Sequence, residues 1–136
     1  MTQNATTAEY VAATGRRKTS IARVRLYKGS GKVIVNGKTI DEYFGGLSRH
    51  KKEALRPMEV VTTANGYDYG IVVNGGGITG QSGAISLGIA RAFISIDPAV
   101  HPLLKKEGLL TRDPRMVERK KPGRPKARKR FQFSKR

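Results

Sequence analysis

The sequence predicts an α+β domain, a mostly antiparallel sheet covered on one face by helices, continued into an extended basic tail. Three features carry this. Strand-like runs separated by turn signals occupy much of the first 75 residues, one long amphipathic helical pattern lies between Thr79 and Ile96, and no Leu, Ile or Val follows Val117. At 136 residues the chain has room for one domain with tails.

Residues 1–9 are polar, carry no charged-then-apolar signal pattern, and are expected to form a disordered leader. The body spans about residues 10–111. From Thr19 to Tyr27, Ala22, Val24 and Leu26 alternate with Arg23 and Arg25, which predicts a half-buried strand with a cationic open face. Gly29-Ser30-Gly31 then supplies a turn into the β-branched run Val33-Ile34-Val35, predicting a hairpin. Asn36-Gly37 is a tight-turn signal before Lys38, Thr39 and Ile40.

Asp41 to Met58 reads as helical, with Ser48 able to cap a segment running to Arg56 and Pro57 marking its end. Val60–Ala64 and Tyr67–Val73 are strand-like, joined by the hairpin signal Asn65-Gly66. After Asn74-Gly75-Gly76-Gly77 comes the predicted helix Thr79–Ile96. Ile85, Ile89, Ala92, Phe93 and Ile96 share one of its faces, and Gly83, Ala84 and Gly88 let it lie close to a sheet. Asp97-Pro98 closes it, and His101–Glu107 forms one more short helix ended by Gly108.

Charge divides the chain. The 27 basic and 10 acidic residues leave +17, well beyond what solubility requires, which calls for a polyanionic partner. Residues 1–111 hold 15 basic and 8 acidic groups, net +7; residues 112–136 hold 12 and 2, net +10. From Arg119 onward there is no acid. Such a segment cannot bury enough apolar surface to offset its ordering entropy, so 112–136 is expected to be disordered when free. Fully extended, its 25 residues reach about 80 Å. A membrane partner is disfavoured, since no apolar run approaches the roughly 20 residues that span a bilayer. Cysteine is absent, removing disulfides and thiol chemistry, and His50 and His101 stand far apart, so no metal site is expected.

Four constellations bear on chemistry. Arg16, Arg17 and Lys18, followed by Arg23 and Arg25 on the open strand face, form a cation cluster suited to phosphates; a solvated charged strand is the alternative. Gly75, Gly77 and Gly80 fit the dinucleotide-binding spacing, with Asp97 at a suitable distance. The chain is nevertheless too short for two mononucleotide halves, the helical face runs on to Ile96, and +17 serves no purpose in binding one cofactor. A glycine turn letting the helix approach the sheet is the simpler reading; backbone amides offered to an RNA phosphate lie between the two. The carboxylates have no pairing spacing and no nucleophile motif occurs, so no enzyme activity, cofactor or small-molecule substrate is expected; His50, in a basic helix segment, suits solvent or a phosphate. Finally, Arg119, Lys120, Lys121, Arg124, Lys126, Arg128, Lys129, Arg130, Lys135 and Arg136, interleaved with Phe131 and Phe133, make a tail suited to releasing counterions from phosphates and stacking on unpaired bases. A DNA-binding architectural protein is the alternative that composition leaves open.

Four stretches then resemble the bacterial form of small-subunit ribosomal protein nine: Thr14 to Val24 (TGRRKTSIARV), Asn74 to Ala84, Gly88 to Ala92, and Leu109 to Arg115 continuing through Val117 to Lys121. The ending Phe133-Ser134-Lys135-Arg136 is similar to that family's Tyr-Ser-Lys-Arg terminus, with Phe133 lacking the hydroxyl. The resemblance covers about residues 10–136 and selects RNA over DNA. It implies a two-layer α/β domain like the second domain of small-subunit ribosomal protein five, with a left-handed βαβ crossover that handedness statistics alone would not suggest. It also implies a place in the head of the small subunit in the cytoplasm, on the 3′ major domain of 16S rRNA beside other head proteins. On that basis Arg16, Arg17, Lys18, Arg23, Arg25, Arg112, Arg115, Arg119, Lys120, Lys121, Arg124, Lys126, Arg128 and Lys129 are expected to contact rRNA. Lys135 and Arg136, supported by Arg130 and Ser134, are expected to reach the anticodon stem-loop of peptidyl-site tRNA.

Overall fold

The structure, a computed structural model, describes residues 10–61, 66–116 and 118–130. Strands β1 (Tyr10–Arg17), β2 (Ser20–Lys28), β3 (Val33–Val35), β4 (Lys38–Thr39) and β5 (Tyr67–Asn74) form one sheet in the order β1-β2-β5-β3-β4. Helices α1 (Ile40–Phe44), α2 (Ser48–Val60), α3 (Ile78–Ile96) and α4 (His101–Lys106) accompany it, with one 3₁₀ turn at Pro98–Val100. Three strand pairings are antiparallel and one, β3 with β5, is parallel. The chain between those two strands therefore crosses over through β4, α1 and α2.

Strand β2 forms as its alternation predicts, with Ala22, Val24 and Leu26 buried and Arg23 and Arg25 exposed. β5 repeats the pattern with Tyr69, Ile71 and Val73 inward and Val72 outward. Against these inward residues packs α3, whose Ile85, Ile89, Ala92 and Phe93 are fully buried; Phe93 meets Tyr69 edge-on at 5–7 Å spacing typical of ring pairs, here 6.2 Å. α2 lies in turn against α3 through Ala54 and Pro57. Helices thus cover one face of the sheet and leave the other open.

Two glycines set the distance between the layers. A Cβ on Gly15 of β1 would lie 2.0 Å from the Ala84 carbonyl oxygen and 2.3 Å from the Gly88 nitrogen of α3. A Cβ on Gly88 would in turn meet Val24 Cγ2 at 2.7 Å. Backbone therefore touches backbone here, as the small residues of α3 predicted.

Several expectations are corrected. β2 and β3 do not form a hairpin, because β5 lies between them. The Gly29–Gly31 segment is instead a loop held by Asp68 of β5, whose Oδ1 accepts the amides of Ser30, Gly31 and Lys32 at 2.9, 3.1 and 3.1 Å. The hairpin predicted at Asn65-Gly66 is likewise displaced: β5 has β2 and β3 as partners, and Val60 ends α2. Thr62 to Asn65, the rest of that signal, lie outside the described residues. α2 continues past Pro57 to Val60, the proline costing one backbone hydrogen bond while its ring is buried. Ser48 is the first helical residue and not the cap; Leu47 precedes the helix without a side-chain hydrogen bond. By contrast, Asn36-Gly37 forms the tight β3–β4 turn, with φ of 50° and 82°.

The Asp68 clamp gives a pH dependence. The Lys32 amide first, with those of Ser30 and Gly31, holds the Asp68 carboxyl below the usual carboxylate range. A depressed folded-state pKa stabilises above the unfolded value, near 3.9, and that contribution is lost as pH falls through the folded value. Protection of the Ser30–Lys32 amides against hydrogen exchange, measured relative to the intrinsic rate at each pH, is expected to fall on acidification below about pH 4, and in Asp68→Ala to be low already at neutral pH.

A candidate nucleic-acid interface

The open face of the sheet carries the strand cations in register. Thr14 opposes Arg23, Ala12 opposes Arg25 and Tyr10 opposes Tyr27 across β1 and β2, while Arg23 faces Val72 and Arg25 faces Gly70 across β2 and β5. Outward-pointing residues two apart on one strand share a face, so Arg16 lies on it too. The Arg25 guanidinium sits over the Tyr10 ring, 5.0 Å from its centroid, and the Tyr10 and Tyr27 rings are 5.5 Å apart.

Arg17 stands apart from its neighbours. Alternation along β1 turns it inward, and only 11% of its side chain is exposed. Its Nη1 donates to Glu53 Oε1 of α2 at 2.7 Å and to the Thr79 carbonyl at 3.3 Å, while Nη2 lies 3.3 Å from Asp113 Oδ2. Ser82 Oγ donates to the other Glu53 oxygen at 3.0 Å. Arg17 therefore ties β1, α2, α3 and the root of the tail together, leaving little of its guanidinium for a phosphate. Arg115 braces the same carboxylate, its Nη2 2.6 Å from Asp113 Oδ2. With Arg115 as the main cause and Arg17 adding to it, the Asp113 carboxyl is held far below its usual range.

This tie has a second consequence. Arg112 donates to the Lys18 carbonyl at 3.3 Å, in the turn between β1 and β2, so the tail leaves the body beside Arg16 and Lys18. Residues about 95 apart in sequence thereby form one cationic strip: Arg16, Lys18 and Arg112 are all exposed, and Arg115 adjoins them. Replacing Arg17 by Met leaves Glu53 and Asp113 without their shared partner. Because both carboxylates keep some exposure, the expected loss is about 2 kcal/mol, less than for a fully buried pair. A urea midpoint measures it, and Arg17→Lys, lacking the guanidinium fork, restores little.

Beyond Thr111 the described tail contains neither helix nor strand. Arg119, Lys120, Lys126, Arg128, Lys129 and Arg130 are exposed, with Lys121 and Arg124 half-exposed. Glu118 is engaged by Lys121 and by Arg128 Nε, the latter at 2.9 Å, and the Lys121 hydrogen bond first among these pairs lowers its carboxyl pKa. Phe131, Phe133, Ser134, Lys135 and Arg136 lie outside the described residues, as does the leader 1–9.

Sequence reasoning placed Arg49 and Lys52 in a basic helix segment without assigning them to RNA, and did not single out Arg56. Their spacing of three and four residues puts them on one exposed stripe of α2, where Lys52 and Arg56 share a groove with Arg115. That helical spacing was the available signal. His50 is half-exposed: its ring lies 6.3 Å from Phe44 and its Nδ1 is buried, so that nitrogen faces inward and cannot serve a phosphate.

The glycine turn before α3 is packed, not open. Gly75 and Gly76 have φ of 78° and 66°, and a Cβ on them would meet Thr19 O at 2.6 Å and Ser20 Oγ at 2.2 Å. No strand follows α3 among the described residues, and Asp97 caps the 3₁₀ turn. A dinucleotide-binding unit is thus ruled out. Among the described residues, no helix is long and apolar enough to cross a membrane.

Comparison with known proteins agrees with this picture. The family model described as "Ribosomal protein S9/S16" matches residues 15–136. The "Small ribosomal subunit protein uS9" of Chlorobium limicola is 59% identical over 128 residues, covering 94% of this chain and 98% of that protein. Those of Pelodictyon phaeoclathratiforme, 56% identical with the same coverage, and Porphyromonas gingivalis, 53% identical over 94% of this chain and 99% of that protein, are similar. Family match, fold and cationic surface converge: the chain belongs to the S9 family of small-subunit ribosomal proteins, which are structural components of the ribosome and not enzymes.

Proposed function

We propose that the chain is built into the head of the small subunit in the cytoplasm, its body docked on the 3′ major domain of 16S rRNA and its tail threaded through that RNA. The separation of charge supports this most: the tail leaves the body at Arg112, beside an exposed cationic turn, and from Arg119 onward carries cations and no acid. In the body, Arg16, Lys18, Arg23, Arg25, Arg112 and Arg115 meet phosphates, joined by Arg49, Lys52 and Arg56; Arg17 positions the strip from behind. Arg119, Lys120, Lys121, Arg124, Lys126, Arg128 and Lys129 then neutralise rRNA phosphates as 112–136 orders on binding. Other head proteins are its neighbours, and the crossover from β3 to β5 is left-handed, as in ribosomal protein five.

The end of the tail serves a different ligand. Lys135 and Arg136, aided by Arg130 and Ser134, contact the anticodon stem-loop of peptidyl-site tRNA. Deleting Ser134–Arg136 is expected to leave incorporation into subunits nearly intact while weakening peptidyl-site tRNA binding or start-site discrimination. Unchanged tRNA binding and fidelity would remove this role. A filter assay comparing head rRNA with duplex DNA at matched salt separates the main reading from DNA architecture: tighter binding to rRNA is expected, and equal affinities would favour the alternative.

A further inference from the structure

The open sheet face has a feature that phosphate contacts leave unused. Gly70 presents no side chain there, between Arg25 of β2 and Ile34 of β3, and a hollow of about 300 Å³ results. Its walls are Arg23, Arg25, Tyr27, Ile34 and Val72. Val72 is 51% exposed and Ile34 37%, so apolar surface lies open to water beside two arginines. The Tyr10 and Tyr27 rings adjoin it, with Arg25 already held over Tyr10.

We infer that this hollow receives an unpaired base of a single-stranded RNA segment, stacked against Tyr27 and the Arg25 guanidinium, while Arg23 takes the adjoining phosphate. Charge selects the occupant. The carboxylate at this edge, Asp68, is occupied by three loop amides, so the arginines are the free charges and an anionic chain is the complement. An acidic peptide would satisfy the arginines but leave the rings and the hollow unfilled. A base does both, since every base has a π-face and stacking tolerates any sequence. Duplex RNA keeps its bases paired and cannot enter. The inference rests on the RNA-binding reading and adds where an unpaired base is held.

Gly70→Val tests it. A Cβ at Gly70 meets nothing nearer than Tyr27 Cε2 at 3.5 Å, so the branch point is accommodated, the two methyls take up part of the space a base needs beside Tyr27, and the melting temperature should hold or rise. With the full chain, a labelled ten-nucleotide single-stranded RNA and a duplex of the same sequence are titrated by fluorescence anisotropy. Expected is a roughly ten-fold loss for the single strand, the worth of one stacked base, with duplex affinity and salt dependence unchanged. Tyr27→Leu should behave likewise, and photocrosslinks from 4-thiouridine should fall on Tyr27 or Tyr10. Unchanged single-strand affinity in both variants, an equal loss for duplex, or crosslinks confined to the tail would overturn the base site. So would loss of binding to another small-subunit protein with RNA binding intact. In each of these cases a steep salt dependence on rRNA would still uphold the wider reading.

Discussion

Removing residues 119–136 is expected to lower the affinity for head rRNA on the order of a thousand-fold near 0.1 M salt, with the fold untouched. Ten of the chain's 27 cations go with the segment and no carboxylate does. Each cation that meets a phosphate releases a counterion, so the loss should shrink as salt rises and the released ions gain less entropy. The body should survive because the cut lies beyond Asp113, leaving its ties to Arg17 and Arg115 in place. Thermal melting of the shortened chain should match the parent within a few degrees. Gel-shift titrations at two salt concentrations measure the binding loss; a change under ten-fold at low salt would mean that the body alone carries the affinity.

Gly15→Val should have the largest effect on folding. Its Cβ would lie 2.0 Å from the Ala84 oxygen and 2.3 Å from the Gly88 nitrogen, both backbone atoms inside α3, so no side-chain rotation can relieve the contact. The helix must move away from the sheet by more than an ångström, about 1.4 Å if ordinary contact is to be restored, unpacking Ile85 and Ile89. A cost of about 3 kcal/mol or more follows, lowering the melting temperature by more than about 10 °C for a domain of this size. Gly70→Ala, whose Cβ makes only ordinary contacts, is the control and should change little. Circular dichroism melts compare them. An unshifted Gly15→Val would mean that the layers are not in contact at this point.

The same details explain what the sequence could disclose. β2 and α3 were legible because their inward residues are apolar at a clear period, and Asn36-Gly37 because its backbone requirement is local. β1 was not. Its inward residues run Val11, Ala13, Gly15, Arg17, shrinking and then turning charged, so the alternation fades where the strand turns basic. Strand partners were misassigned for another reason: turn chemistry speaks only for neighbours, whereas β5 lies between β2 and β3 through pairings 36–53 residues apart, with Asp68 gripping the loop beside them.

The candidate site divides similarly. Arg23 and Arg25 were readable because β2 was. Arg17 looked like Arg16 and Lys18 in composition; only the register of β1 separates an arginine that faces Glu53 from two cations that face solvent. The convergence of Glu53 and Asp113 on it, 60 residues apart in sequence, is a property of the fold alone. Arg49 and Arg56 were obscured by the acids Glu53 and Glu59 on the same helix.

Body and tail together are expected to hold RNA by phosphate neutralisation. The equilibrium constant of the intact chain for head rRNA across a salt series from about 50 to 500 mM, a range over which counterion release is readily resolved, decides whether they do. Expected is a straight line of log affinity against log salt with a steep negative slope, roughly −7 or beyond if most of the tail's cations engage. A slope near zero would contradict it, whatever the affinity at any single salt concentration.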